Sequence, residues 1–268
     1  MGRVRDWIFP PRPGGWLVDD RAERRLIRVE LVVVFAITLG LAGLSSLVSL
    51  VDSLLRTEAL SDQSVAINVP QARAGLLDLV RQLLSALRLF AWGALGAYLL
   101  HRAGIALARV GLDLRRKGRD VLVGVGLAAL IGLPGLGFYL LSYALGINLA
   151  VAPSTLGDLW WRPIALVVLA IGNAWAEEVL VVGYFITRLR QLGLSEGRSL
   201  WASAVLRGSY HLYQGFGGFL GNVVMGLVFG RFWQRANRLW PLVVAHALID
   251  IVAFVGYSLL SGAVDWLP

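Results

Sequence analysis

The chain has 268 residues, is 57% hydrophobic and only 16% charged, contains no cysteine and carries a formal net charge of +8. A mean hydropathy of +0.69, with far less charge than the roughly 25% of soluble domains, argues against a soluble enzyme. The missing cysteine excludes disulfides, thiol catalysis and thiolate metal ligands. The basic residues sit at the ends of apolar runs and form no basic face interleaved with aromatics. That argues against nucleic acid and points to anionic lipid headgroups as their partners.

The expected architecture is an all-α polytopic membrane helical bundle with about seven transmembrane helices, since runs of about 17–25 apolar residues are the spanning signal. Residues 1–28 form a polar, arginine-rich tail containing Pro10, Pro11 and Pro13 and no apolar leader core, so the first apolar run is expected to act as an uncleaved anchor. Leu31–Val51 is the first run. The second, Leu76–Leu100, is interrupted by Arg81 and Arg88, so Gly75–Leu87 is expected to lie along the surface before the chain crosses. Val121–Leu149 contains Pro134 and is expected to kink there. Pro163–Thr187 holds two adjacent glutamates, Leu200–Gly215 holds Arg207 and His211, Phe216–Phe232 is short and glycine-rich, and Leu239–Ala263 holds His246 and Asp250. Residues 29–120 thus form the N-terminal spans with a basic loop, and 121–268 the transmembrane core.

Loop charges then set an orientation. The tail, the 102–119 connection, the 188–198 connection and the 231–238 connection are arginine-rich, whereas the intervening connections are neutral or mildly acidic. This alternation predicts a cytoplasmic N-terminus and an outside C-terminus in the cell membrane. With that topology Glu177, His211 and His246 all fall roughly 12–18 Å below the cytoplasmic surface, at 1.5 Å per residue, and Asp250 about 18 Å deep. Residues far apart in sequence therefore share one layer.

Charged and imidazole side chains at membrane depth are costly and mark function. Glu177 and Glu178 point about 100° apart on a helix, so one faces the reaction and the other needs its own cation. Burial suits a carboxylate to act as general base toward water. His211 and His246 can hold a water or a metal, and Glu177, His211 and His246 together make a donor set for Zn2+ or another divalent ion. A metal-independent, glutamate-activated water is the alternative. Asp250, four residues after His246, can orient it, act as a further metal ligand, or, when protonated, bind the reacting carbonyl oxygen. Asn222 and Asn173 are amides that line the site or bridge helices. Trp160, Trp161, Trp240 and Trp266 read as interfacial anchors.

Three segments, AEEVLVVGY, LRGSYHLYQG and PLVVAHALID, resemble in order and spacing the CAAX prenyl protease and bacteriocin-processing family of intramembrane proteases. The resemblance covers roughly residues 160–257. It implies an intramembrane endopeptidase acting on a membrane-associated peptide or protein. Glu177 and His211 would activate water, Glu178 would support them, and His246 and Asp250 would stabilise the oxyanion or complete a metal site. The family's arginine four residues after the second glutamate is Val182 here, and Arg207, four residues before His211, is expected to pair with Glu178 instead. The competing readings are a proton-coupled transporter and a catalytically silent membrane scaffold of the same fold.

Overall fold

The computed structural model describes residues 17–260. Most of the N-terminal tail, the end of the last apolar run and Trp266 lie outside the described residues. The chain is a helical bundle. Helix α1 (Arg21–Ala36) starts at Asp20, whose carboxylate accepts the Ala22 N–H, and α2 (Leu39–Leu55) follows after a sharp bend of 51°. A strand β1 (Ser64–Asn68) precedes α3 (Gly75–Arg102) and α4 (Lys117–Ala144). Strand β2 (Ala150–Ser154) then leads into α5 (Arg162–Glu177), a π-helical stretch Glu178–Tyr184, and α6 (Phe185–Gln191). Short α7 (Glu196–Ser209) and long α8 (Phe216–Ala236) precede α9 (Trp240–Ile251) and its continuation to Leu260. Pro163 and Pro241 open α5 and α9, where a missing N–H costs nothing.

Among the described residues, five helices are long and apolar enough to cross a membrane, six if the bent α1–α2 pair counts as one span. The expected fifth run, Leu200–Gly215, is not among them: it falls on α7, which has only 14 residues, and on the turn after it. At 1.5 Å per residue that is about 21 Å, short of a hydrocarbon core of about 30 Å. The turn after it is tied to α2, where the Tyr213 N–H donates to Ser46 Oγ at 2.7 Å. The second run also differs from expectation. Gly75–Arg102 is one continuous helix, because Arg81 and Arg88 lie on its exposed face while Gln82, Ala86, Gly93 and Gly96 face inward. Helix α4 likewise runs through Pro134. Trp161 is no interfacial anchor: it is 2% exposed and packs with Leu166 and Phe254.

Hydrogen bonds sort the connections onto two ends. At one end Val18 donates to the Gln191 carbonyl, Arg24 to that of Leu192, Trp233 to that of Val110 and Gln234 to that of Glu196. These link the arginine-rich connections that the charge pattern places together. At the other, β1 and β2 pair in parallel, Ser64 opposite Ala150, and Leu149 donates to the Gln214 carbonyl.

Arg238 ties the 103–116 connection to the start of α9. It donates to Asp113 at 2.5 Å and to both carboxylate oxygens of Asp120. The Arg115 N–H and the Arg238 guanidinium hold the Asp113 carboxyl below its usual range. A depressed folded-state value contributes stability above the unfolded carboxyl's value of about 4 and loses it as pH falls through the folded one. Arg238→Ala is accordingly expected to lower the thermal unfolding midpoint in detergent near neutrality, with a gap to the parent chain that narrows on acidification. A gap unchanged by pH would assign the loss to packing alone.

The apolar core gathers Leu180, Val181, Val182 and Tyr184 of the π stretch against Phe229, Trp233, Leu239 and Leu242. Helices α7 and α8 approach closely because Gly226 faces Ala204, whose Cα would lie 2.9 Å from a side chain there.

Candidate active site

The two carboxylates sit where an α-helix changes into a π-helix, at the junction Glu177–Glu178. Single π turns inside α-helices often mark functional sites, because the wider ring re-aims side chains. Here all seven π residues are buried, so the backbone that carries Glu178 is held from every side.

Arg207 on α7 answers the charge. Its Nη2 donates to Glu178 Oε1 at 2.6 Å and its Nη1 to Glu177 Oε2 at 3.4 Å. Arg207 and Glu178 are both 0% exposed. The expected Arg207–Glu178 contact is therefore present, and Val182, where the family has its arginine, is packed into the apolar core. Glu178 Oε1 also meets His246 Nδ1 at 2.7 Å. His246 Nε2 lies 3.6 Å from Asp250 Oδ2, too long for a hydrogen bond. Asp250 Oδ2 is fixed by the Asn173 amide at 2.9 Å, so Asn173 bridges α5 to α9. Glu177 has a second donor: the Tyr210 hydroxyl, at 2.6 Å.

His211 lies in the turn after α7, its ring 4.9 Å from that of Tyr210 and 6.4 Å from that of Tyr213. Its Nδ1 is 3.3 Å from the Gln214 amide, and its Nε2 is buried without a hydrogen-bond partner. It lies within electrostatic range of Glu177, Arg207 and His246. The structure thus brings Glu177, Glu178, His211, His246 and Asp250 into one cluster. Asn222 is not drawn in through a hydrogen bond: its amide donates to the Gly218 carbonyl of its own helix at 3.0 Å.

Several participants escape a sequence reading. Tyr210 was findable as the phenol beside His211 in LRGSYH. Asn148 carried no signal: it is 1% exposed, and its side-chain Oδ1 accepts the Gly218 N–H at 2.9 Å. Together with Gly215, whose φ of 109° suits glycine, it fixes the turn that carries His211.

The donor set Glu177, His211 and His246 does not assemble for a metal in this arrangement. His246 faces a carboxylate on each side, Glu177 is occupied by Tyr210 and Arg207, and no group of three His, Asp or Glu among the described residues is placed to hold an ion. What the geometry offers is a buried carboxylate beside an imidazole, braced by a second carboxylate, a guanidinium and another imidazole.

Residues 159–252, about a third of the chain, match the family model Rce1-like, described as type II CAAX prenyl endopeptidase Rce1-like. That segment is similar to the Rce1-like family. It runs from the start of α5 to the first residue after α9 and includes every member of the cluster. No curated protein and no solved structure matches the chain. The Rce1-like match and the apolar helices together describe a multi-pass membrane protein with a protease-type core.

Proposed function

We propose that this protein is an intramembrane endopeptidase in which Glu177 takes a proton from the water that attacks the peptide carbonyl. The observation that carries this reading is the bracing of Glu177 by Tyr210 and Arg207 inside an apolar core, next to the Glu178–His246 pair. A general base contributes when it is held within reach of the reacting proton. His211, with a buried and unpartnered Nε2, is the second group available to that water. Glu178, Arg207 and Asp250 act as positioning residues. His246 Nε2, 3.6 Å from Asp250 Oδ2, is the group that would meet the carbonyl oxygen as it gains charge.

The convergence of these groups in one cluster favours hydrolysis over a proton relay, which needs polar groups strung along a path across the bilayer. The substrate is a membrane-associated peptide or protein that reaches the site laterally or from the cytoplasmic side of the cell membrane. The test is cleavage of a library of membrane peptides by the purified protein in lipid, with metal analysis of the same preparation. Cleavage that survives in metal-free protein supports the base reading. Cleavage restored only by Zn2+ or another divalent ion would assign the chemistry to a metal and overturn the metal-free role given to Glu177.

The orientation is part of the same reading. Reporters active on only one side, fused to each terminus, are expected to place Met1 in the cytoplasm and Pro268 outside, following the arginine alternation. Both termini on one side would contradict the orientation read from that alternation.

A further inference from the structure

Helix α3 carries two arginines that the hydrolytic cluster does not use. Arg81 and Arg88 are both exposed and lie seven residues apart, two turns along one face, about 10.5 Å. With Gln71, Leu84 and Ser85 they line a groove of about 290 Å³. Gln71, from the connection before the helix, folds over it: its amide donates to Ser85 Oγ at 3.1 Å, and its carbonyl accepts Arg81 Nη1 at 2.8 Å. The Arg88 guanidinium rests over the Trp92 ring at 5.7 Å. Among the described residues neither arginine has a carboxylate partner. Asp78, the nearest acid in sequence, is buried and engaged with the Gln71 N–H and Gln82.

Two unpaired cations on this helix need an anion. Helix α3 has 28 residues, about 42 Å, which exceeds a hydrocarbon core of about 30 Å. With that excess at the Gly75 end, Arg81 lies about 9 Å along the helix, near headgroup level, and Arg88 two turns deeper, where an unpaired charge is costly. The surface around them is apolar: Leu76 is 70% exposed, Leu77 61%, Leu84 58% and Leu87 62%. A ligand here meets two guanidiniums, a hydroxyl and an amide with one part and bare leucines with the rest. Arginine forks suit phosphate oxygens, and leucine faces suit acyl chains.

We propose that this groove binds the phosphate of an anionic lipid, its headgroup between Arg81 and Arg88 and its chains along the leucines of α3. The test is native mass spectrometry of the full chain exposed to equal amounts of phosphatidylglycerol and phosphatidylcholine, with inorganic phosphate as the competing free anion. Two surface cations predict a preference for phosphatidylglycerol of about 30-fold. Arg81→Gln with Arg88→Gln is expected to abolish that preference, and Arg102→Gln, at the far end of the same helix, to keep it. Ser85→Trp fills the groove while leaving both charges, is also expected to abolish it, and carries the test if the double variant does not fold. Equal binding of the two lipids, equal loss in Arg102→Gln, or full preference in Ser85→Trp would overturn the site. Displacement of phosphatidylglycerol by comparable inorganic phosphate would overturn the lipid as the ligand.

Discussion

Arg207→Ala is expected to destabilise the protein by about 3–5 kcal/mol, the cost of removing one partner from a buried ion pair, and to lower hydrolysis with it. The guanidinium is wholly buried and, among the described residues, only it and the His246 imidazole form ion-pair contacts with the paired glutamates. Without it two carboxylates share one imidazole in an apolar interior, where unpaired charge is most costly. Arg207→Lys is expected to recover part of the loss, because an ammonium supplies the charge without the planar fork that reaches both acids. Val182→Arg is not expected to rescue it. Val182 is fully buried among Leu180 and Val181, and a guanidinium there would overpack the core. Thermal unfolding in detergent, with and without each change, reads the effect. An Ala variant that unfolds with the parent chain would show that Arg207 does not hold the cluster together.

The Arg207–Glu178 pair was legible from sequence because a membrane-depth cation has few ways to be satisfied, and a neighbouring span held an unpaired acid. That Glu177, His211, His246 and Asp250 would meet was legible for a similar reason: the arginines mark the helix ends, and a constant rise per residue puts the four at similar distances from them. Long-range contacts were not legible. The run Leu200–Gly215 is apolar enough to read as a span. Yet α7 starts at the Ser195 cap and stops at Ser209, and the following turn is held by Ser46 and by hydrogen bonds to Ile147 and Leu149. Arg81 and Arg88 looked like interruptions because hydropathy averages over all faces, whereas a helix needs only its inner face to pack. The π stretch after Glu177 has no composition signal, and Trp161 turns inward because Leu166 and Phe254 offer it a cluster.

Glu177→Gln is expected to reduce hydrolysis by about 10²–10⁴-fold, the usual contribution of a general base, while leaving the fold intact. Glutamine is nearly isosteric, can still accept from the Tyr210 hydroxyl and Arg207, and cannot take a proton from water. Glu178→Gln disturbs a different place, the contact shared by Arg207 and His246, so its loss is expected to appear in stability as well as in rate. The decisive measurement is the single-turnover cleavage rate of one membrane peptide by the parent chain and by Glu177→Gln, in the same lipid, after both show the same unfolding midpoint. A rate at least about a hundredfold lower in the Gln variant is the predicted result. Near-normal cleavage by a Gln variant of unchanged stability would contradict the assignment of Glu177 as the base.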